Sequence, residues 1–331
     1  MTGRAVQFVA PYRVDITEVP VREPAQGELL VRAEVSGISG GSEMLAYRGE
    51  IDPETAVDET LDALRGTFAY PFIYGYSVVG IVEQSRGTIG DGARVFAFHP
   101  HQDLFVVSER DVVRLDGEDP RRATLLPLVE TALQVCLEAC PQLGEPVVVL
   151  GLGCVGALTA ALLRRCGAQV LASEPEEARR GVAGKLGVKA VEPDELAGAV
   201  AALTDGHGVP LVVEASGSPQ ALVAALGLLA HEGTALVCSW YGTKPVVLPL
   251  GAEFHRRRLA IRSTQVSTIP ASLSGRWDPT RRREVTRTLL SELPLGALAT
   301  HEFPFERAPE AYAAVAGAEP DLKHAALRYP S

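Results

Sequence analysis

The chain has 331 residues, 47% hydrophobic and 22% charged, with a formal net charge of −10 and an isoelectric point near 5.3. This composition suits a soluble globular protein with a large core and two domains. The acidic balance argues against a nucleic-acid partner or an anionic membrane surface, and Arg256-Arg257-Arg258 is too short a run to reverse it. No apolar run reaches spanning length, and MTGRAVQFVAPYR begins as a strand rather than a signal peptide, so no membrane association and a cytoplasmic location are expected.

The first part of the chain is β-rich: residues 4–9, 13–19, 28–36, 78–83, 94–98 and 104–107 read as strands between Gly, Pro and Asp turns. From about Pro120 the pattern changes. Residues 121–140 read as one helix. Strands at 147–150, 169–173, 211–214 and 234–239 then alternate with helices at 157–165, 176–186, 194–203 and 219–229. That alternation specifies an α/β, doubly wound parallel sheet. Beyond Phe254 the regularity lapses, leaving helices over 279–293 and 307–315 and a closing strand over 325–329. Cys136, Cys140, Cys154, Cys166 and Cys238 include no CxxC pair, so free buried thiols are expected. Cys136 and Cys140 fall one helical turn apart with no histidine to complete a metal site.

The most informative stretch is Val147-Val148-Val149-Leu150 followed at once by Gly151-Leu152-Gly153-Cys154-Val155-Gly156. The apolar run suits a parallel strand buried on both faces. Gly151 allows a tight turn, Gly153 lets backbone approach a pyrophosphate, and Gly156 lets the next helix press on the strand. The phosphates would meet the free N–H groups of that helix's first turn. The second strand ends in Glu174, whose carboxylate accepts from ribose hydroxyls and repels a 2′-phosphate, which favours NAD over NADP. Arg179 and Arg180, in the following helix, weigh the other way.

Further anchors are Gly27-Glu28-Leu29-Leu30-Val31-Arg32, Gly37-Ile38, Gly80-Ile81-Val82-Glu83, Gly92-Ala93-Arg94-Val95 and Ala308-Pro309-Glu310-Ala311-Tyr312. Together with the glycine turn they make nearly the whole chain resemble the medium-chain dehydrogenase/reductase superfamily. Tyr74-Gly75-Tyr76-Ser77-Val78-Val79-Gly80, Phe96-Ala97-Phe98-His99-Pro100-His101-Gln102-Asp103 and Phe254-His255-Arg256-Arg257-Arg258-Leu259 resemble its zinc-lacking branch, which includes bacteriochlorophyllide hydroxyethyl dehydrogenase. The resemblance implies a GroES-like β domain at 1–127, completed by 266–331, and a Rossmann NAD-binding domain at 128–265. It also implies a homodimer through the Rossmann sheet edge near Val237.

Zinc-dependent relatives carry a ligand cysteine just after Gly-Ile, where this chain has Ser39, Gly40 and Gly41. Their ligand histidine falls on Tyr76, and their third ligand near Leu126 or Pro127. Their cysteine-rich structural lobe is missing, because the chain runs straight from His99 to Phe105. Zinc takes thiolate, imidazole or carboxylate ligands, so no metal is expected. A side chain must then reach the reacting oxygen. Ser42 matches the hydroxyl that relays the substrate proton in the relatives. Tyr76 either points its phenol at the reacting atom or fills the vacated metal space. His99 either lines the substrate pocket, where an imidazole titrating near neutrality suits acid–base work, or shapes the turn that replaces the lobe. His101 is the weaker histidine. Glu130 either orients a base or is a helical surface glutamate. Tyr74 and Trp240 line the pocket or belong to the core.

The resemblance places Thr131 near the phosphates, Ser216 near the adenosine half, and Ser239 and Trp240 against the nicotinamide. Helix capping and turn hydrogen bonding are the alternatives for Ser216 and Thr131. Arg256 to Arg258 read as partners of acidic groups across domains. Three functions compete for this pattern. The first is a zinc-independent NAD-dependent oxidoreductase interconverting a secondary alcohol and a ketone on a small-molecule substrate. The second is a reductase of activated C=C or C=N bonds, as in enoyl and quinone reductases. The third is a non-catalytic nucleotide-binding protein.

Overall fold

The computed structural model describes residues 1–61, 63–319 and 321–330. In chain order come β1 (Thr2–Ala10), β2 (Arg13–Pro20), β3 (Glu28–Ile38), α1 (Ser42–Arg48), β4 (Phe72–Ile73), β5 (Val78–Ser85), β6 (Arg94–Ala97), β7 (Leu104–Ser108), β8 (Val112–Arg114) and α2 (Pro120–Ala123). Next are α3 (Leu126–Ala139), β9 (Pro146–Leu150), α4 (Cys154–Arg165), β10 (Gln169–Ser173), α5 (Glu177–Lys185), β11 (Lys189–Val191), α6 (Pro193–Thr204), β12 (Val209–Glu214), α7 (Pro219–Leu228), β13 (Leu229–Val237), β14 (Ala260–Ser263) and α8 (Pro279–Glu292). The chain closes with β15 (Ala299–Pro304), α9 (Ala308–Ala316) and β16 (His324–Arg328).

These elements form two compact units, Met1–Pro127 with Leu298–Ser331, and Leu128–Ala297. Residues 266–297 therefore cluster with the second unit, not with the first as the sequence suggests. The reason lies in α8, where Arg282 is buried and its guanidinium reaches Glu130 at 3.0 Å and Gln134 at 2.6 Å. A charged group this deep stays with the partners that satisfy it.

The first unit is built on a sheet of order β15-β16-β3-β5-β6-β8, with β7 also paired to β3, and a three-stranded sheet β2-β1-β4. Aromatic rings fill its core: Phe8 stacks on Phe72 at 5.1 Å and meets Tyr312 edge-on at 5.2 Å. The helix expected over 121–140 is two helices. Asp119 caps α2 by accepting from the Arg122 N–H, Pro120 takes its first position, and Thr124 Oγ1 bonds back to the Arg121 carbonyl at 2.7 Å. Helix α1 has no counterpart in the sequence pattern. Glu43, Met44, Leu45, Ala46 and Tyr47 are all buried, so no polar stripe marks it as amphipathic.

The second unit is a six-stranded parallel sheet of order β11-β10-β9-β12-β13-β14, the doubly wound arrangement expected from the alternating pattern. Val147, Val148 and Val149 of central β9 are fully buried, which explains their unbroken apolar run. Asp278 and Ser218 cap α8 and α7, each followed by a proline at the first helical position. Val237 is not at a sheet edge. It lies opposite Glu214 on β12 and Ser263 on β14, and the edge strand on that side is β14.

Candidate active site and cofactor site

In the second unit the glycine turn joins β9 to α4. A Cβ on Gly156 would stand 2.0 Å from the Gly151 carbonyl oxygen, and one on Gly151, whose φ is +89°, would stand 2.6 Å from Ser216 Cα. Neither position accepts a side chain. Gly153 differs: a Cβ there meets nothing within 4 Å, and Gly153 caps α4 without a side-chain bond. Half-buried Cys154 and Val155 begin α4 beside this open space, and a helix N-terminus so placed fits a pyrophosphate.

Glu174 stands just past β10, 2% exposed, and its carboxylate accepts from the Leu152 N–H at 2.8 Å and the Glu176 N–H at 3.1 Å. It is held against the glycine turn by the turn's own backbone. Arg180 bonds the Glu174 and Pro175 carbonyls and Glu192 at 2.7 Å, and Arg179 lies 3.7 Å from the Glu174 carboxylate. Both arginines thus face protein acceptors.

The other cofactor candidates divide. The Ser216 hydroxyl donates to Glu214 Oε1 at 2.5 Å and accepts from the Ser218 N–H at 3.1 Å, so it shapes its own turn. Ser239 Oγ accepts from the Gly217 N–H at 2.9 Å, tying the ends of β12 and β13 together. Thr131 is half-buried on α3, and Trp240 is 44% exposed. Glu130 is neither a solvated helical glutamate nor a free base. Its carboxylate is buried against Arg282, and Arg283 lies 4.0 Å away. Two of the three clustered arginines pair inside this unit, Arg258 with Glu232 at 3.0 Å and Arg257 with Glu253 at 2.5 Å. None of the five cysteines is in a disulfide, but Cys136 alone is buried; Cys154 and Cys238 are half-buried and Cys140 and Cys166 exposed.

In the first unit, Ser42 opens α1 and Tyr76 precedes β5, and their hydroxyls meet at 3.0 Å. Both residues are half-buried, and Ser39 Oγ lies 3.5 Å from Ser42 Oγ. Burial pushes the Tyr76 phenol up to about 12, with the Glu43 carboxylate adding to the rise and the Ser39 and Ser42 hydroxyls opposing it. Tyr74 sits in the aromatic core, 5% exposed.

His99 is not an imidazole titrating near neutrality. Its ring stacks on Phe105 at 3.9 Å, Nδ1 faces the Pro100 carbonyl at 3.1 Å, and burial pushes it down to about 4. An imidazole held neutral has no proton to give near pH 7. The weaker histidine, His101, is the better connected. Its Nε2 lies 2.9 Å from Glu43 Oε2 and its Nδ1 2.7 Å from Ser36 Oγ, with all three residues fully buried. Sequence reasoning passed over Glu43, although a carboxylate directly after Ser42 in a short apolar helix was the available signal.

The sequence resemblance aligns the zinc-ligand positions with Ser39 to Gly41, with Tyr76, and with Leu126 or Pro127. They offer a hydroxyl, a phenol and alkyl groups, which do not fit zinc. Among the described residues no group of three or more His, Cys, Asp or Glu is arranged to hold a metal ion.

Residues 154–279 match the family described as zinc-binding dehydrogenase. The chain is 27% identical to the 2-desacetyl-2-hydroxyethyl bacteriochlorophyllide A dehydrogenase of Cereibacter sphaeroides over 97% of this chain and 96% of that one. It is 25% identical to the 2-dehydro-3-deoxy-L-galactonate 5-dehydrogenase of Pseudoalteromonas atlantica, covering 73% and 78%. Among solved structures it superposes on a short chain alcohol dehydrogenase from Escherichia coli CFT073 in complex with NADH, with TM-score 0.79, 17% identity and 99% of each chain covered. It also superposes on a protein assigned as a zinc-binding dehydrogenase from Sinorhizobium meliloti 1021 bound to NADP, with TM-score 0.78, 18% identity and 99% of each chain covered. The named activities of these relatives support an oxidoreductase, and the parallel sheet with its glycine turn is the matching fold. These matches support a place for the chain in the medium-chain dehydrogenase/reductase superfamily.

Proposed function

We propose that the protein is a zinc-independent, NAD-dependent oxidoreductase that interconverts a secondary alcohol and a ketone on a small metabolite. The observation that carries this reading is the Tyr76–Ser42 hydroxyl pair at 3.0 Å, at positions that the sequence resemblance alone aligns with a metal ligand and a relay hydroxyl. Gly151 to Gly156 and Glu174 would hold the dinucleotide, and a carboxylate at position 174 favours NAD over NADP. The chemistry supplied by a bound nicotinamide is hydride transfer. The remaining tasks fall to this chain. A phenol held protonated to about pH 12 donates a hydrogen bond to a carbonyl oxygen, and Ser42 relays the proton that the product oxygen gains. That protonation state suits ketone reduction.

The named activities of the relatives act on alcohols and sugar acids, which supports alcohol chemistry over reduction of a C=C or C=N bond. The test is NADH consumption by metal-analysed protein against panels of ketones and of enones. Oxidation of NADH by ketones supports the reading. Consumption by enones alone removes it in favour of a C=C reductase, and binding without turnover points to the nucleotide-binding protein. A homodimer belongs to the same reading, with edge strand β14 as its seam, because Ala260, Arg262 and Ser263 are exposed there.

A further inference from the structure

Beneath the hydroxyl pair lies a hydrogen-bonded cluster closed to solvent. Glu43 Oε1 accepts from the Ser39 N–H at 2.8 Å, and Glu43 Oε2 accepts from the Tyr312 O–H at 2.5 Å and faces His101 Nε2 at 2.9 Å. On the far side of the ring, His101 Nδ1 meets Ser36 Oγ at 2.7 Å, and Ser36 Oγ meets the Tyr329 hydroxyl at 2.9 Å. One proton assignment satisfies every atom. Tyr329 donates to Ser36, Ser36 to Nδ1, Nε2–H to the carboxylate, and Tyr312 and Ser39 N–H to the same carboxylate. Glu43, His101, Ser36 and Tyr312 are 0% exposed. A buried carboxylate with three donors on it is fixed in place, because loss of any one leaves a buried polar group unpaired.

The carboxylate touches the active residues through one turn. Ser39, whose N–H it holds, and Ser42, its own neighbour, bracket Gly40 and Gly41, a pair with no side chains to stiffen it. The chain closes tightly around the histidine as well: a Cβ on Gly75, the residue before Tyr76, would stand 2.4 Å from His101 Cδ2. We propose that Glu43, anchored by His101 and Tyr312, is the positioning residue for the Tyr76–Ser42 pair, fixing the Ser39–Ser42 turn. This rests on the proposed function for what the pair does, but the geometric claim is separate. The charge acts in the same direction as the geometry, since a carboxylate beside a phenol opposes phenolate formation. Outside the cluster, the titratable and charged groups near it include Tyr74 with Asp58 beside it, Asp103 by Tyr329, His99 and His324 next to His101, and Arg121 against His324.

The test needs no substrate. Full-length protein labelled with 3-fluorotyrosine is titrated by fluorine NMR, with the Tyr76 resonance assigned from Tyr76→Phe. Glu43→Gln should move the Tyr76 midpoint down by at least one pH unit, a tenfold gain in acidity, while Glu43→Asp, which keeps the charge, should recover most of the shift. Tyr312→Phe, which retains the packed ring and removes one donor, should displace the Tyr76 resonance and guards against a Glu43→Gln variant that does not fold. An unchanged resonance and midpoint in the folded variants would overturn the proposal. Undiminished turnover in Tyr76→Phe would instead sink the role of the pair and leave the titration result standing.

Discussion

The His101 imidazole lies 2.9 Å from the Glu43 carboxylate, and neither side chain is exposed to solvent. The two come from elements 58 residues apart, α1 and the turn before β7. Their pairing makes the first unit's site one of hydroxyls over a buried carboxylate.

The histidine first suspected of acid–base work has a different consequence. His99 is pushed from 6.5 down to about 4 by burial, and His324 is pushed down by burial and by Arg121. Between the folded and unfolded values the unfolded chain binds more protons, so stability is complete above about pH 6.5 and is lost as pH falls toward 4. His99 alone accounts for about 3 kcal/mol of that loss. Denaturant midpoints measured from pH 7 to 4 should fall steeply, and His99→Phe should flatten the curve. A midpoint independent of pH in the wild type would contradict this.

Arg282 and Glu130 are each 4% exposed in side chain and 3.0 Å apart. Arg282→Met should cost about 3–5 kcal/mol in unfolding free energy by stranding a buried carboxylate, while the double variant with Glu130→Met should recover most of it. Urea unfolding reads both. Loss of turnover with full stability in Glu130→Gln would restore Glu130 as a chemical group.

Glu174→Ala should weaken NADH binding roughly tenfold or more and narrow the preference over NADPH, because the ribose acceptor and the repulsion of a 2′-phosphate go together. Fluorescence titration with the two cofactors measures it. The same change leaves the Leu152 N–H without its acceptor, so a small loss of stability should accompany it.

Pairing of two copies along β14 predicts twice the 35.1 kDa chain mass in light scattering and a monomer for Ile261→Pro, since proline removes a ladder N–H and clashes at a paired strand. A wild-type monomer would remove the dimer.

Much of this was legible in the sequence. The β9 run, the glycine turn and the capped, proline-led starts of α7 and α8 announce themselves because local pattern and tertiary role agree. Helix α1 was hidden because its face is buried all round, and the break between α2 and α3 because Thr124 caps within an apolar run. The side-chain partners were less accessible. Glu43 meets Tyr312 across 269 residues and Glu130 meets Arg282 across 152, separations that no local spacing encodes. His99 looked reactive by residue type, and only its stacking on Phe105 reveals an imidazole kept neutral.

In the proposed function the Tyr76 phenol, backed by Ser42, handles the proton in place of a metal. The measurement that bears on it most directly is NADH-dependent ketone reduction by metal-analysed wild type and Tyr76→Phe, with and without added zinc. A fall in kcat of about 100-fold or more in the variant, unchanged NADH affinity and no response to zinc are expected. Wild-type turnover that requires zinc, or a Tyr76→Phe variant as active as the parent, would contradict it.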